Sequence, residues 1–190
     1  MSFSDKENIQ TLLNDITKLC SNINSEDDVF IKSLINEEAQ DYVKGLKISK
    51  PETLLSDKLF KPVIKLTGIT QLPEARVGEG WVDFILSSSN SLGFPVAIEL
   101  KALHNKIGNM NALESVVNIM RNEYEKKKSN QIVKYIVGQN GVEYVVLTNL
   151  CEVFMFDKSC VLDFKPIVRE SFTDFINGIS GTKNISDYLK

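Results

Sequence analysis

The stretch that most constrains this chain is Val96-Ala97-Ile98-Glu99-Leu100-Lys101. A short apolar run of this kind reads as a buried strand. It nevertheless carries a carboxylate and an ammonium. An unpaired charge in a dry interior is costly enough that such groups pair, bind a metal or shift their pKa. In a strand, residues two apart share a face, so Glu99 and Lys101 project together while Val96, Ile98 and Leu100 point into a core. The run over 80–86 is of the same type and contains Asp83, sixteen positions before Glu99. Side by side, the two strands would bring Cβ atoms to about 4.5–5.5 Å of each other and make three charged groups converge. Two carboxylates and a lysine suit a hard divalent cation and a water to be activated. The plain alternative is a partly exposed Glu99–Lys101 ion pair worth less than about 1 kcal/mol.

The surrounding pattern places these runs in a mixed α/β chain. Apolar residues at helical spacing predict an amphipathic helix over 5–20 and a second over 26–44, stopped by Gly45. Pro51 opens a third, which Pro62 kinks or restarts before Gly68. The period then switches to strands over 72–77 and 80–86, joined by the Gly78-Glu79-Gly80 turn, and a third strand over 95–101. A long helical region over 110–137, interrupted near Ser129-Asn130, precedes strands over 143–148 and 152–156. A final helix over 171–179 reads as a lid or linker. Hairpin, strand, helix, strand is the order of a mixed sheet with helices on its faces.

The chain's 190 residues bury one sizeable core, and no apolar run is long enough to span a membrane. Three cysteines, Cys20, Cys151 and Cys160, have no metal-site spacing, which favours reduced thiols in a cytoplasmic protein. Lys and Arg total 22 against 25 Asp and Glu. That balance argues against a domain that holds nucleic acid tightly by itself, and leaves room for a nuclease whose DNA is delivered by another domain or subunit.

Asp83 with Glu99-Leu100-Lys101 resembles the PD-(D/E)XK motif of the restriction-endonuclease-like nucleases, whose αβββαβ core has the element order read above. Glu52 falls where many members carry an additional acid. Gln131-Ile132-Val133-Lys134-Tyr135 is similar to their Q-x-x-x-Y helix, and Tyr144-Val145-Val146-Leu147-Thr148-Asn149 with Val153-Phe154-Met155-Phe156 is similar to a strand pair of restriction enzymes. The combination most resembles the N-terminal nuclease domains of type IIG and type ISP restriction–modification proteins and of type I motor subunits, over roughly residues 50 to 158. It departs from them in Gly-Trp-Val-Asp before the first acid, where proline is usual. Trp81 is read as core packing, with a cover over the site as the alternative.

The first 50 residues and the C-terminal tail lie outside the resemblance; the expected division is a helical extension over 1–48 packed on a nuclease core over 49–168, followed by a C-terminal helix or linker over 169–190. The resemblance supplies the chemistry of the core. It implies magnesium, with manganese able to substitute, held by Asp83, Glu99 and the Leu100 carbonyl. The ion polarises a DNA phosphate and lowers the pKa of a bound water. Lys101 orients that water and stabilises the added charge, which a compact, tunable ammonium does better than a guanidinium. Glu52 binds a second ion or orients a water, unless it is an exposed first-turn acid favoured by the helix dipole. Gln131 and Tyr135, on one helical face, lie beside the site and touch metal-bound water or the DNA backbone. Lys126, Lys127 and Lys128 contact phosphates, unless they form an ordinary solvated face. His104 reads as loop surface, since nothing marks a nucleophile for it to serve. DNA and a methyltransferase, specificity or translocase domain or subunit are the expected partners. The rivals are a non-catalytic binding or scaffold module that keeps the fold, and a stand-alone repair or junction nuclease.

Overall fold

The computed structural model describes residues 3–21, 55–87, 96–101, 112–136, 142–180 and 189. The helix expected over 26–44, His104 and Glu52 lie outside them. Helix α1 (Phe3–Ser21) is followed by a π-helical turn (Ser56–Phe60), α2 (Lys61–Thr67), β1 (Thr70–Val77), β2 (Gly80–Ser87) and β3 (Val96–Leu100). Then come α3 (Ala112–Lys127), α4 (Gln131–Ile136), β4 (Tyr144–Thr148), β5 (Glu152–Asp157), a 3-10 turn (Val161–Asp163), β6 (Val168–Ser171) and α5 (Phe172–Ile179). No helix among the described residues is long and apolar enough to cross a membrane.

The six strands form one sheet in sequence order. Every neighbouring pair is antiparallel except β3 and β4, which run parallel. A parallel pair needs a crossover, and α3 with α4 supplies it. Helices cover both faces. Ile98 and Leu100 of β3, Val146 of β4 and Met155 of β5 share one core with α1, α2 and α5, where Leu13, Ile16, Ile64 and Phe175 are buried. Ala97, Val145, Leu147 and Phe156 face α3 and α4 in a second core with Met120 and Ile132. The central strand β3 is therefore buried along its whole length, on both sides.

Local chemistry explains the boundaries. Pro62 cannot donate to the helical ladder, and just before it the Lys61 N–H reaches back five residues to the Ser56 carbonyl, giving the π turn. Gly68, at φ 75°, closes α2 in the left-handed region that favours glycine. Gly78 turns the hairpin at φ 53°. Ser171 caps α5 by accepting the Asp174 N–H at 3.0 Å.

Three expectations are corrected. The helix expected over 171–179 is present as α5, but its Phe172, Phe175, Ile176 and Ile179 are buried in the core rather than free as a lid or linker, and the unexpected strand β6, paired with β5, leads into it. Cys20 in the last turn of α1 and Cys151 after β4 form a disulfide, Cα atoms 5.6 Å apart and 131 residues apart in sequence. Packing of α1 on the sheet brings them together, which local spacing does not reveal. Trp81 is 66% exposed rather than packed. The reason is a skipped rung in the β1–β2 ladder: Pro73 pairs with Phe84 and Ala75 with Val82, while Glu74 between them sits at φ 48°. Beyond that residue the hairpin tip is rotated, so Val82 joins the α3–α4 core although Phe84 belongs to the other. Alternation then turns Trp81 outward.

Candidate functional site

The recorded pairing of β2 with β3 ends at Phe84 and Ile98, so the strands fork just where the charged residues begin. On β3, the Lys101 N–H points to β4 and donates to the Thr148 carbonyl at 2.9 Å. The Leu100 N–H therefore points to the opposite edge, into the fork, and has lost its backbone partner on β2. Asp83 supplies the replacement: its Oδ2 accepts the Leu100 N–H at 2.7 Å. The Leu100 carbonyl leaves the strand on that same edge.

Glu99 projects to the α4 side. Its Oε1 accepts from Lys101 Nζ at 2.8 Å and from Gln131 Nε2 at 2.6 Å. Lys101 Nζ also donates to Gln131 Oε1 at 2.8 Å, closing a three-membered ring of contacts. Because lysine only donates, that contact fixes which end of the Gln131 amide faces Glu99. Glu99 Oε2 accepts from Tyr135 Oη at 2.9 Å. The Tyr135 hydroxyl lies closer still, 2.6 Å, to the Trp81 carbonyl. A phenol has one proton, so these two acceptors share a single donor.

The Glu99 and Lys101 side chains are 6% and 17% exposed. Burial pushes the Glu99 carboxyl above its usual range; the Lys101 charge pulls it back, the Asp83 charge pushes it up, and hydrogen bonds from Lys101 and Tyr135 lower it. Burial raises Tyr135 as well, followed by the charge of Glu99, so the phenol keeps its proton at any physiological pH. Two neighbouring carboxylates, one of them buried and hard to ionise, leave the cluster short of positive charge. A divalent cation relieves that shortage, and an Asp, a Glu and a backbone carbonyl are the oxygen donors magnesium takes while keeping several waters. The residues fit such an ion. Among the described residues no group of three or more His, Cys, Asp or Glu gathers to hold a metal, so carbonyl and water oxygens would complete the shell.

Asp83, Glu99, Lys101, Gln131 and Tyr135 thus meet at one place, from β2, β3 and α4. Tyr135, read from the sequence as a DNA contact, is only 1% exposed and holds Glu99 instead. The lysine run lies at the end of α3 and makes its own local contacts. Lys127 pairs with Glu123 at 3.1 Å, Lys128 stands 5.8 Å from the centre of the Tyr124 ring, and Lys126 is exposed. Gly80 is the residue that sequence reasoning undervalued. A Cβ there would lie 2.6 Å from the Tyr135 ring, so the glycine is what lets the tyrosine reach both acceptors. Its position in a hairpin turn masked that second duty. No protein-family model, curated protein or solved structure matches the chain.

Proposed function

We propose that this chain is a magnesium-dependent DNA endonuclease domain of a restriction–modification enzyme, acting with a methyltransferase, specificity or translocase domain or subunit. The observation that carries the reading is the β2–β3 fork, where Asp83 spans to Leu100 and Glu99 is held by Lys101, Gln131 and Tyr135. A buried ion pair is a poor stabiliser, because its desolvation offsets most of its attraction. Such a cluster in an otherwise apolar strand therefore speaks for chemistry. The restriction-endonuclease-like core goes with this reading: α2, the β1–β3 meander, the α3–α4 crossover and β4 follow its order, with β5, β6 and α5 as additions.

In this mechanism Asp83 and Glu99 would hold the ion together with the Leu100 carbonyl. Bound there, the ion supplies Lewis-acid polarisation of the phosphate and a water of lowered pKa. Lys101, kept beside Glu99 by Gln131, places its ammonium where negative charge grows on the phosphate. Gln131 fixes the lysine's direction, and Tyr135 fixes the carboxylate's rotation. The main chain at Trp81 anchors Tyr135 in turn.

Plasmid nicking in magnesium or manganese tests the assignment. Asp83→Ala and Glu99→Ala should abolish it, and Lys101→Ala should lower the rate about 10²–10³-fold, with each variant still melting cooperatively. Cleavage retained by all three rejects the reading. The second reading, a non-catalytic module, draws on one observation: both lone pairs of Glu99 Oε1 are already engaged. Calorimetric titration with magnesium separates the two, since the module binds none and the nuclease loses its signal in Asp83→Ala.

A further inference from the structure

The residue that the mechanism above leaves unused is the indole of Trp81. Its carbonyl belongs to the site, 2.6 Å from Tyr135 Oη, and it stands two residues before Asp83. Its ring is turned the other way, 66% exposed on the hairpin. The directly paired residue across the ladder is Arg76, also exposed, and the two therefore share a face. Arg76 enters none of the ion pairs among the described residues, and it is the hairpin's sole basic residue. Glu74 and Glu79 lie on either side of it along the chain, so a phosphate is welcome at one place only.

An exposed aromatic beside a lone guanidinium has two natural uses, an apolar protein contact or a nucleotide. A protein contact needs contiguous apolar surface. Among the described residues, the other exposed large apolar side chains away from the hairpin are Ile119 on α3, Leu162 in the 3-10 turn and Ile167 just before β6. Leu72 is on β1 but four residues from Arg76, about 13 Å along the strand. Among the described residues the ring has no exposed large apolar neighbour, and such a ring suits one flat partner. Paired bases in a duplex offer no free face, whereas an unpaired base does, and stacking on tryptophan is the sequence-tolerant way to hold it.

The geometry points to a nucleotide platform on the β1–β2 hairpin: Trp81 stacks an unpaired base and Arg76 takes its phosphate, so that the preferred substrate carries single-stranded or extruded nucleotides next to the cut. This deepens the nuclease reading and rests on it for the class of ligand.

The chain contains one tryptophan, so its emission reports this ring alone. The full chain is titrated in chelator, without metal or cleavage, with an oligothymidylate and with a relaxed, covalently closed circular duplex at equal nucleotide concentration. The oligothymidylate should quench the emission and the duplex should not. By anisotropy of a labelled oligothymidylate, Trp81→Ala should bind about tenfold more weakly, Trp81→Phe should keep most of the affinity, and all variants should melt as the parent does. Unquenched emission at saturation, or equal binding by Trp81→Ala, overturns the platform. So does an emission change that grows with protein concentration alone and disappears with a dimer in Trp81→Ala, since a second copy then covers the ring. Loss of the platform leaves the outcome at Asp83, Glu99 and Lys101 untouched, and the reverse also holds.

Discussion

The two faces of β3 are built from alternate residues of one five-residue strand and obey different rules. On one, Val96, Ile98 and Leu100 pack against α1, α2 and α5 with almost no exposed area. On the other, Ala97 is apolar, but the next position in the series is Glu99, buried against Gln131 and Tyr135. The first face removes apolar surface from water, at about 1.5–3 kcal/mol per large side chain. The second spends a core position on a carboxylate that burial makes harder to ionise. A strand that gives up packing at one position, while optimising it at the next, would on the nuclease reading separate stability from function within about 3.3 Å of chain.

The largest test of that contrast is Ile98→Ala. Removing a fully buried side chain should cost about 2–5 kcal/mol in urea unfolding and leave cleavage per folded molecule intact. A comparable loss of turnover would show that the faces are not separable. Gly80→Ala works on the other side. Its methyl would meet the Tyr135 ring, and the overpacking should cost about 1–3 kcal/mol, with nicking lost because Tyr135 releases Glu99. Normal nicking would show that the ring can move aside without consequence.

Glu99→Gln gives the smallest shift and the sharpest contrast. Its amide can donate to Tyr135 Oη, leaving the tyrosine proton to the Trp81 carbonyl, so both acceptors are served. The variant should equal or exceed the parent by about 0.5–2 kcal/mol at neutral pH while cleaving nothing. The sign follows from linkage. Glu99 binds its proton more tightly folded than unfolded, so the parent is favoured at low pH and loses stability as pH rises from the unfolded carboxyl value through the folded one. The glutamine variant has no such slope, and the difference between the two melting profiles should widen upward from about pH 4.3. Parallel profiles would remove the claim that Glu99 costs stability.

What could be read in the sequence was set by how local each signal is. The β1–β2 hairpin, β3, β4 and β5 announce themselves through apolar runs and a glycine turn. Helical spacing and a family resemblance put the Gln131–Tyr135 face beside Glu99, but not the direct hydrogen bonds by which both side chains hold it. Strand β6 did not show, because Val168-Arg169-Glu170-Ser171 is a short, charged edge strand whose pairing is decided by β5. The outward turn of Trp81 depends on Glu74 holding a left-handed conformation, which few non-glycine residues adopt and no pattern encodes. The Cys20–Cys151 bond depends on α1 docking from the far end of the chain.

The near-collision between Gly80 and Tyr135 has a genetic corollary. Enlarging position 80 demands a slimmer side chain at 135, yet a slimmer one forfeits the hydroxyl that reaches Glu99 and the Trp81 carbonyl. Related chains that keep the chemistry should vary these two codons in tandem or not at all.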